Sequence, residues 1–445
     1  MSASILDTLN TNIEQVRSVL ANYSDTSKAL FGMLKINEEV VATRYLYRVP
    51  FKKYVGGTFQ KYSADGGSMG TGNGMSIGKL EAGFFDTTFN FEITKEQIDT
   101  SISKTGSTIN VMSETVASAM DTLQIYDDIA LHTDGTGKLT NAASTGTSTT
   151  LTFADAADTL GINRLLLGMS VDIWDSTGAT KRANGPYQIV AIDPGTKTVT
   201  FGSAPTGMAT TDLIAFYNLD VYGPSTLTSF TSTWPGGGLT TAAGLTGDSF
   251  RHGLGYVNDN TTSNYYLGNL KSSIPQLMPG YVNASGALVY AHGDLLKSNI
   301  FQQRDETALQ GMMGVMHMAQ QAQLKNIGVS ISNIWRGPEQ MKMIDVQPTG
   351  NYTDTFTFAD LPCFVSKRQD KARVDFFNPK NWFKVESEPA KFYTPGSGGY
   401  VRPKYDGSGN VTSAVEFKVV QKMDTGCVDP GAGGYIYGCT VPSGY

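Results

Sequence analysis

Few side chains in this sequence are spaced for chemistry. The four histidines, His132, His252, His292 and His317, are scattered, with no i, i+4 pair and no HExxH run, so no metal site is expected. Asp127 and Asp128 are adjacent, and neighbours on a helix point about 100° apart, so they make no facing acid/base pair. Gly78-Lys79 has the start of a phosphate-binding loop, but Leu80 stands where Ser or Thr is needed and Asn73 where the first glycine belongs. Gly137-Lys138-Leu139 fails in the same way. A Gly-x-Ser-x-Gly run in the strand-to-helix setting of a nucleophile elbow is absent. The turn at Asp134-Gly135 lacks calcium-loop spacing. Lys367, Arg368, Lys371 and Arg373 form a basic run broken by Asp370 and Asp375, read as solvated surface with at most a weak phosphate-facing role. No catalytic residue, cofactor or metal is expected, and the chain does not read as an enzyme.

The bulk properties agree. With 445 residues the chain can bury a large core in two or three subdomains. A net charge of −6 argues against a dedicated nucleic-acid reader, without excluding a local basic face. Cys363, Cys427 and Cys439 are too few for a disulfide framework and lack zinc spacing, so folding in a reducing cytoplasm is the default. No charged start followed by an apolar run marks a signal peptide. No apolar run approaches the ~20 residues of a membrane span, so no membrane partner is expected.

The organising stretch runs from about residue 40 to 140. An alternating strand (Val41, Thr43, Tyr45, Tyr47, Val49, Phe51) leads into a glycine-rich arm, YVGGTFQKYSADGGSMGTGNG, and the chain returns as FFDTTFNFEIT. An excursion of about 50 residues cannot bury its own backbone, and long loops are usually functional or packed on something else. A two-stranded arm lying on a neighbouring copy satisfies it. Tyr54 to Leu80 is read as that inter-subunit arm, with Tyr54, Phe59, Tyr62, Met69, Met75 and Leu80 as its contact residues. A long amphipathic helix follows from Ser107 or Thr108, with Ile109, Met112, Val116, Met120 and Leu123 on its core face. It ends at His132 to Gly137, where glycines break it. Ahead of the arm, Leu6, Leu9, Ile13, Val16 and Leu20 make one apolar stripe, read as an N-terminal clasp. Ala29, Leu30, Met33 and Leu34 mark a second short helix.

After a polar linker at 141–150, the runs TSTTLTF, GMSVDIWD, GPYQIVAID, GTKTVTF and DLIAFYNL are five strands of a small inserted barrel, a separable module. Residues 293–325 read as helix-rich, with Met312, Met313, Met316 and Met318 as core filler. IGVSISNIW, TFTFADLPCFVS and ARVDFFNP then read as strands, and a β-rich tail has its core in Val415, Phe417 and Val419.

In order and spacing, these stretches resemble a tailed-bacteriophage major capsid protein, the Hong Kong phage-type fold shared with encapsulins. YRVPF, GGTFQKYSADGGSMGTGNG and FEITKEQIDTS resemble its extended loop, and residues 107–140 its spine helix ending in Asp-Gly-x-Gly. GLGYVNDN, NYYLGNLKSSIPQLMPGYVN and LLKSNIFQQ resemble its axial domain, with NIGVSISNIWRGPEQM as the central strand and FADLPCFVSKRQDKARVDFFNPKNWFKVES as the return strands. The resemblance covers most of the chain except 147–220. It implies an α+β capsid fold: an N-terminal arm (1–48), extended loop (49–98), peripheral domain with spine helix (99–146), inserted β-barrel (147–221), axial domain (222–360) and return strands (361–445). It also implies hexamers and pentamers of an icosahedral phage head in the virion, assembled in the host bacterial cytoplasm. The partners are a portal, scaffolding or decoration proteins, and double-stranded DNA bound without base readout. No covalent cross-link is expected from Lys52, Lys53 or Lys61, and the short segment before the arm favours a separate scaffold, or none. An encapsulin-type compartment and a phage tail or adhesin protein are the alternatives.

Overall fold

The computed structural model describes residues 30–34, 41–42, 46–54, 56–57, 72, 74–95, 111–141, 148–153, 160–176, 180–182, 185–209, 212–217, 219, 250–262, 265–304, 306–332, 356–393, 401–405 and 408–442. The fold is mixed, with a long helix set among four sizeable sheets.

The helix Val111–Leu131 is the spine. Its 21 residues make a rod of about 30 Å. It stops as its sequence requires, at a turn where Gly135 and Gly137 take φ of +83° and +76°, conformations that side chains disfavour. A Cβ on Gly137 would also meet Leu219 Cδ1 at 2.5 Å. The end of the helix is buried all round rather than along one stripe: Asp127 to Leu131 are all buried, whereas ahead of them, among the described residues, only Ala119, Leu123 and Ile125 are.

Strand Leu46–Tyr54 pairs antiparallel with Ser76–Gly83, from Leu46 opposite Gly83 to Tyr54 opposite Ser76, with Val41–Ala42 on its other edge. The arm is therefore a hairpin closed by SIGKLEAG, not by FFDTTFNFEIT. That later run, Phe85–Thr94, pairs with the long strand Val411–Cys427. On the long strand's other edge lie Trp382–Phe392 and, further along, Val401–Tyr405. Phe91 and Phe417, opposite each other, stack with centroids 5.1 Å apart.

Six antiparallel strands form the insert, in the order Lys138–Asn141, Leu213–Phe216, Ser170–Trp174, Tyr187–Asp193, Thr198–Phe201 and Thr150–Thr152. All five expected strands are present, joined by one that precedes the linker. Among the described residues the ladder is an open path with Lys138–Asn141 and Thr150–Thr152 at its ends, so the expected ring closure of a barrel is not seen there. Its core is not separate either. Ile125 and Ile129 of the spine helix pack in the same cluster as Val171, Ile173, Ile189, Phe201 and Ile214.

The remaining six-stranded sheet runs Gly280–Gly286, Gly434–Cys439, Val374–Phe377, Met313–Met316, Leu361–Val365 and Phe356–Phe358. Helix Tyr290–Gln303 lays Leu296 and Ile300 on it. The approach is close at Gly293, where a Cβ would meet that of Ala359 at 2.5 Å. Two expectations fail here. Met313–Met316, read as helical filler, is a central strand, and Ile327 to Ser332, read as the central strand, continue the helix Met318–Ser332. Propagating an established helix adds a hydrogen bond per residue, which outweighs the weak strand preference of a few β-branched side chains. Met312 and Met316 are buried as expected, whereas Met318 is exposed.

Candidate functional site

The hairpin presents two environments along its length. At its base Tyr47, Val49, Leu80 and Ala82 are buried in the chain's own core beside Leu131, Tyr256 and Phe383. At its far end Tyr54, Met75 and Ile77 are 58%, 50% and 60% exposed. Leu80, expected on the inter-subunit surface, is fully buried and thus belongs to the base. The alternation of a strand turns one face inward, and Leu80 lies opposite Val49 on that face. The outer face carries Arg48 and Lys79, both paired with Glu81 at 3.1 and 2.6 Å. These two cations hold the Glu81 carboxyl below its usual range. Phe59, Tyr62 and Met69 of the arm, the clasp residues Leu6, Leu9, Ile13, Val16 and Leu20, and Ile109 lie outside the described residues. On the spine, Leu123 is buried, Val116 and Met120 are half-buried, and Met112 lies in the first turn.

The base of the hairpin and the end of the spine helix are wired together by buried polar groups. Tyr47 donates its hydroxyl to Asp424 Oδ2 at 2.6 Å, and His252 Nδ1 lies 2.6 Å from the same oxygen. Burial, followed by the charge of Asp424, pushes the Tyr47 phenol far up. Asp127 pairs with Arg251, which continues to Thr87 Oγ1 at 2.6 Å and Gln421 Oε1 at 3.0 Å. Asp128 pairs with the fully buried Arg368 and accepts the amides of Leu30 and Phe31. Its carboxyl is nonetheless raised, because desolvation outweighs these partners. His132 sits between Ser366 Oγ at 3.0 Å and Gln369 Oε1 at 3.2 Å. Burial, and then Arg164 and Arg368, lower it to about 3, so the ring is neutral. Arg164 of the insert donates to the carbonyls of Arg368 and His132 at 2.9 and 2.6 Å.

Each of these charges has a structural partner. Among the described residues no group of three or more His, Cys, Asp and Glu side chains could hold a metal ion. The basic run is largely interior: Arg368 and Lys371 are buried, Arg373 clasps Asp375 at 2.8 Å and stacks on Tyr435, and Lys367 is exposed. This corrects its reading as solvated surface. The sequence signal was available in part: two adjacent aspartates inside the apolar run IYDDIAL must find cations if they are buried. No helix among the described residues is long and apolar enough to cross a membrane.

Nearly the whole chain aligns with a solved phage capsid. The cyanophage A-1(L) capsid asymmetric unit matches over 96% of this chain and 96% of its own, with a TM-score of 0.50 at 10% identity. The fold is that of a tailed-phage capsid subunit. Also similar are the capsid of a native GTA particle (96% and 94% covered, 9% identity, TM-score 0.45) and the holo-SrpI encapsulin complex of Synechococcus elongatus (97% and 94%, 9%, TM-score 0.42). No protein-family profile and no curated protein matches the sequence. In this capsid fold the spine helix, hairpin and long sheet meet at Asp127, Asp128 and Asp424, residues that the sequence reading did not single out as a structural node.

Proposed function

We propose that the protein is the major capsid protein of a tailed phage, self-assembling into hexamers and pentamers of an icosahedral head in the virion. The observation that carries this is the hairpin Leu46–Tyr54/Ser76–Gly83: anchored by a buried base, with Tyr54, Met75 and Ile77 exposed at its far end. Apolar side chains held out at the end of a strand pair are placed to be covered by another molecule. A capsid fold running through 96% of the chain supports another copy as the covering molecule. Tyr54, Phe59, Tyr62, Met69 and Met75 then form the inter-subunit arm, and Leu6, Leu9, Ile13, Val16 and Leu20 the clasp. Many modest contacts repeated by symmetry close such a shell. The packaged partner is double-stranded DNA, entering through a portal, with scaffolding or decoration proteins as further partners and assembly in the host cytoplasm. The protein acts as a structural unit, without catalysis.

Electron microscopy of the protein expressed alone, and with its candidate scaffold, tests this. Closed icosahedral particles or capsomers are the expected result. Nuclease-protected DNA inside particles recovered from infected cells separates a capsid from a protein-filled compartment, and fibres or rings would refute the shell.

A further inference from the structure

The root of the N-terminal arm is held by one carboxylate. The amides of Leu30 and Phe31 both donate to Asp128 Oδ1, at 3.0 and 2.8 Å. The other oxygen, Oδ2, accepts from Arg368 Nη1, whose side chain is fully buried. Two consecutive amides converging on one ionised oxygen make a stronger and more directional hold than neutral hydrogen bonds would. The local turn, Phe31–Met33, is three residues of 3-10 helix with no side-chain cap, too short to hold itself. Leu30 and Leu34 enter the same core as Tyr47, Val49, Leu80 and Ala82, so the roots of arm and hairpin share one cluster.

We propose that Asp128 is a latch that fixes where the N-terminal arm leaves the subunit. The spine helix and Arg368 thereby set where the backbone of residues 30–34 lies, and opening the latch frees that segment while the sheets stay folded. The bearing of the latch on assembly rests on the capsid reading; the latch itself rests on the hydrogen bonds. Asp127 supplies an internal control. It is equally buried and equally paired, but its partner Arg251 leads to Thr87 and Gln421 on the long sheet.

The test compares two full-length double variants, D128N/R368Q and D127N/R251Q. Each removes both charges of a buried pair, so neither leaves a lone charge inside. Trypsin sites at Lys28 and Lys35 bracket the latched residues. Cleavage there, followed by mass spectrometry of the unassembled subunit, is expected to run roughly tenfold faster in D128N/R368Q than in D127N/R251Q, the loss of two charge-assisted hydrogen bonds. Both variants should melt at similarly lowered temperatures. Equal cleavage rates overturn the latch. Should D128N/R368Q not fold, D128E keeps the charge for Arg368 but displaces the oxygen by a methylene; faster cleavage supports the latch, and the wild-type rate overturns it. Particle formation is scored separately. Particles lost only from D128N/R368Q tie the latch to assembly. If the wild-type protein with its scaffold also forms none, the capsid reading falls while the cleavage result still decides the latch.

Discussion

Replacing Tyr54, Met75 and Ile77 together with lysine should abolish particles and leave the subunit folded. The three side chains are 58%, 50% and 60% exposed, so about half of each is left for a neighbour to cover. Full burial of a side chain of this size is worth ~1.5–3 kcal/mol, so covering the exposed half contributes about 1 kcal/mol each, about 3 kcal/mol per hairpin. Three ammonium groups remove that gain and add a desolvation cost. At ~1.4 kcal/mol per factor of ten, each contact weakens by at least about 100-fold, and a shell repeats the loss at every subunit. Within the subunit the same changes touch little, and surface substitutions usually stay within ~0.5 kcal/mol each. Sedimentation velocity and electron microscopy report the particles, and thermal melting reports the fold. Leu80→Ala is the opposite control: it truncates a fully buried side chain, and should cost ~2–5 kcal/mol and lower the melting temperature. Closed particles at wild-type yield from the triple lysine variant would refute the hairpin as the inter-subunit contact.

Three further outcomes are expected. His132 has a folded-state value of about 3, below its ordinary 6.5, so the stability it contributes is fully present above pH 6.5 and is lost as pH falls towards 3. The slope is at most ~1.4 kcal/mol per pH unit, and His132→Gln should flatten denaturation midpoints over that window relative to wild type. Cys363, Cys427 and Cys439 are buried free thiols in two core clusters, and burial raises all three, Cys363 and Cys439 to about 12. A thiol reagent such as DTNB should therefore leave them unmodified in the native subunit and titrate all three after denaturation, while reductant leaves the melting temperature unchanged. Ile129→Ala should cost ~2–5 kcal/mol and loosen the insert as well as the spine, because Ile129 lies in the insert's core; hydrogen exchange over residues 170–216 would show it. Unchanged exchange there would mean that the insert is energetically separate after all.

The local patterns in this sequence were strong enough to fix several elements. The 3.6-residue periodicity and the glycine stop mark a helix from Ser107 or Thr108, present over the described residues Val111–Leu131, and β-branched runs between turn residues gave the five strands of the insert. These are properties of neighbouring residues, readable without knowing what lies across the fold. Partnership is a different kind of information. Alternation in FFDTTFNFEIT shows that it is a strand with one apolar face, but its pairing with Val411–Cys427 depends on residues more than 300 positions away. The same holds for Leu80, whose inward face is set by register with Val49, and for Arg368, which reads as surface charge until Asp128, 240 residues earlier, is placed beside it. Ile327 to Ser332 are helical as the continuation of the helix that starts at Met318, where each added residue gains a hydrogen bond. The chain alone determined where several of the regular segments lie. Only the tertiary structure decided which strands pair, which charges are interior and what the Leu30 and Phe31 amides bond to, because each of those is settled by long-range burial rather than by local preference.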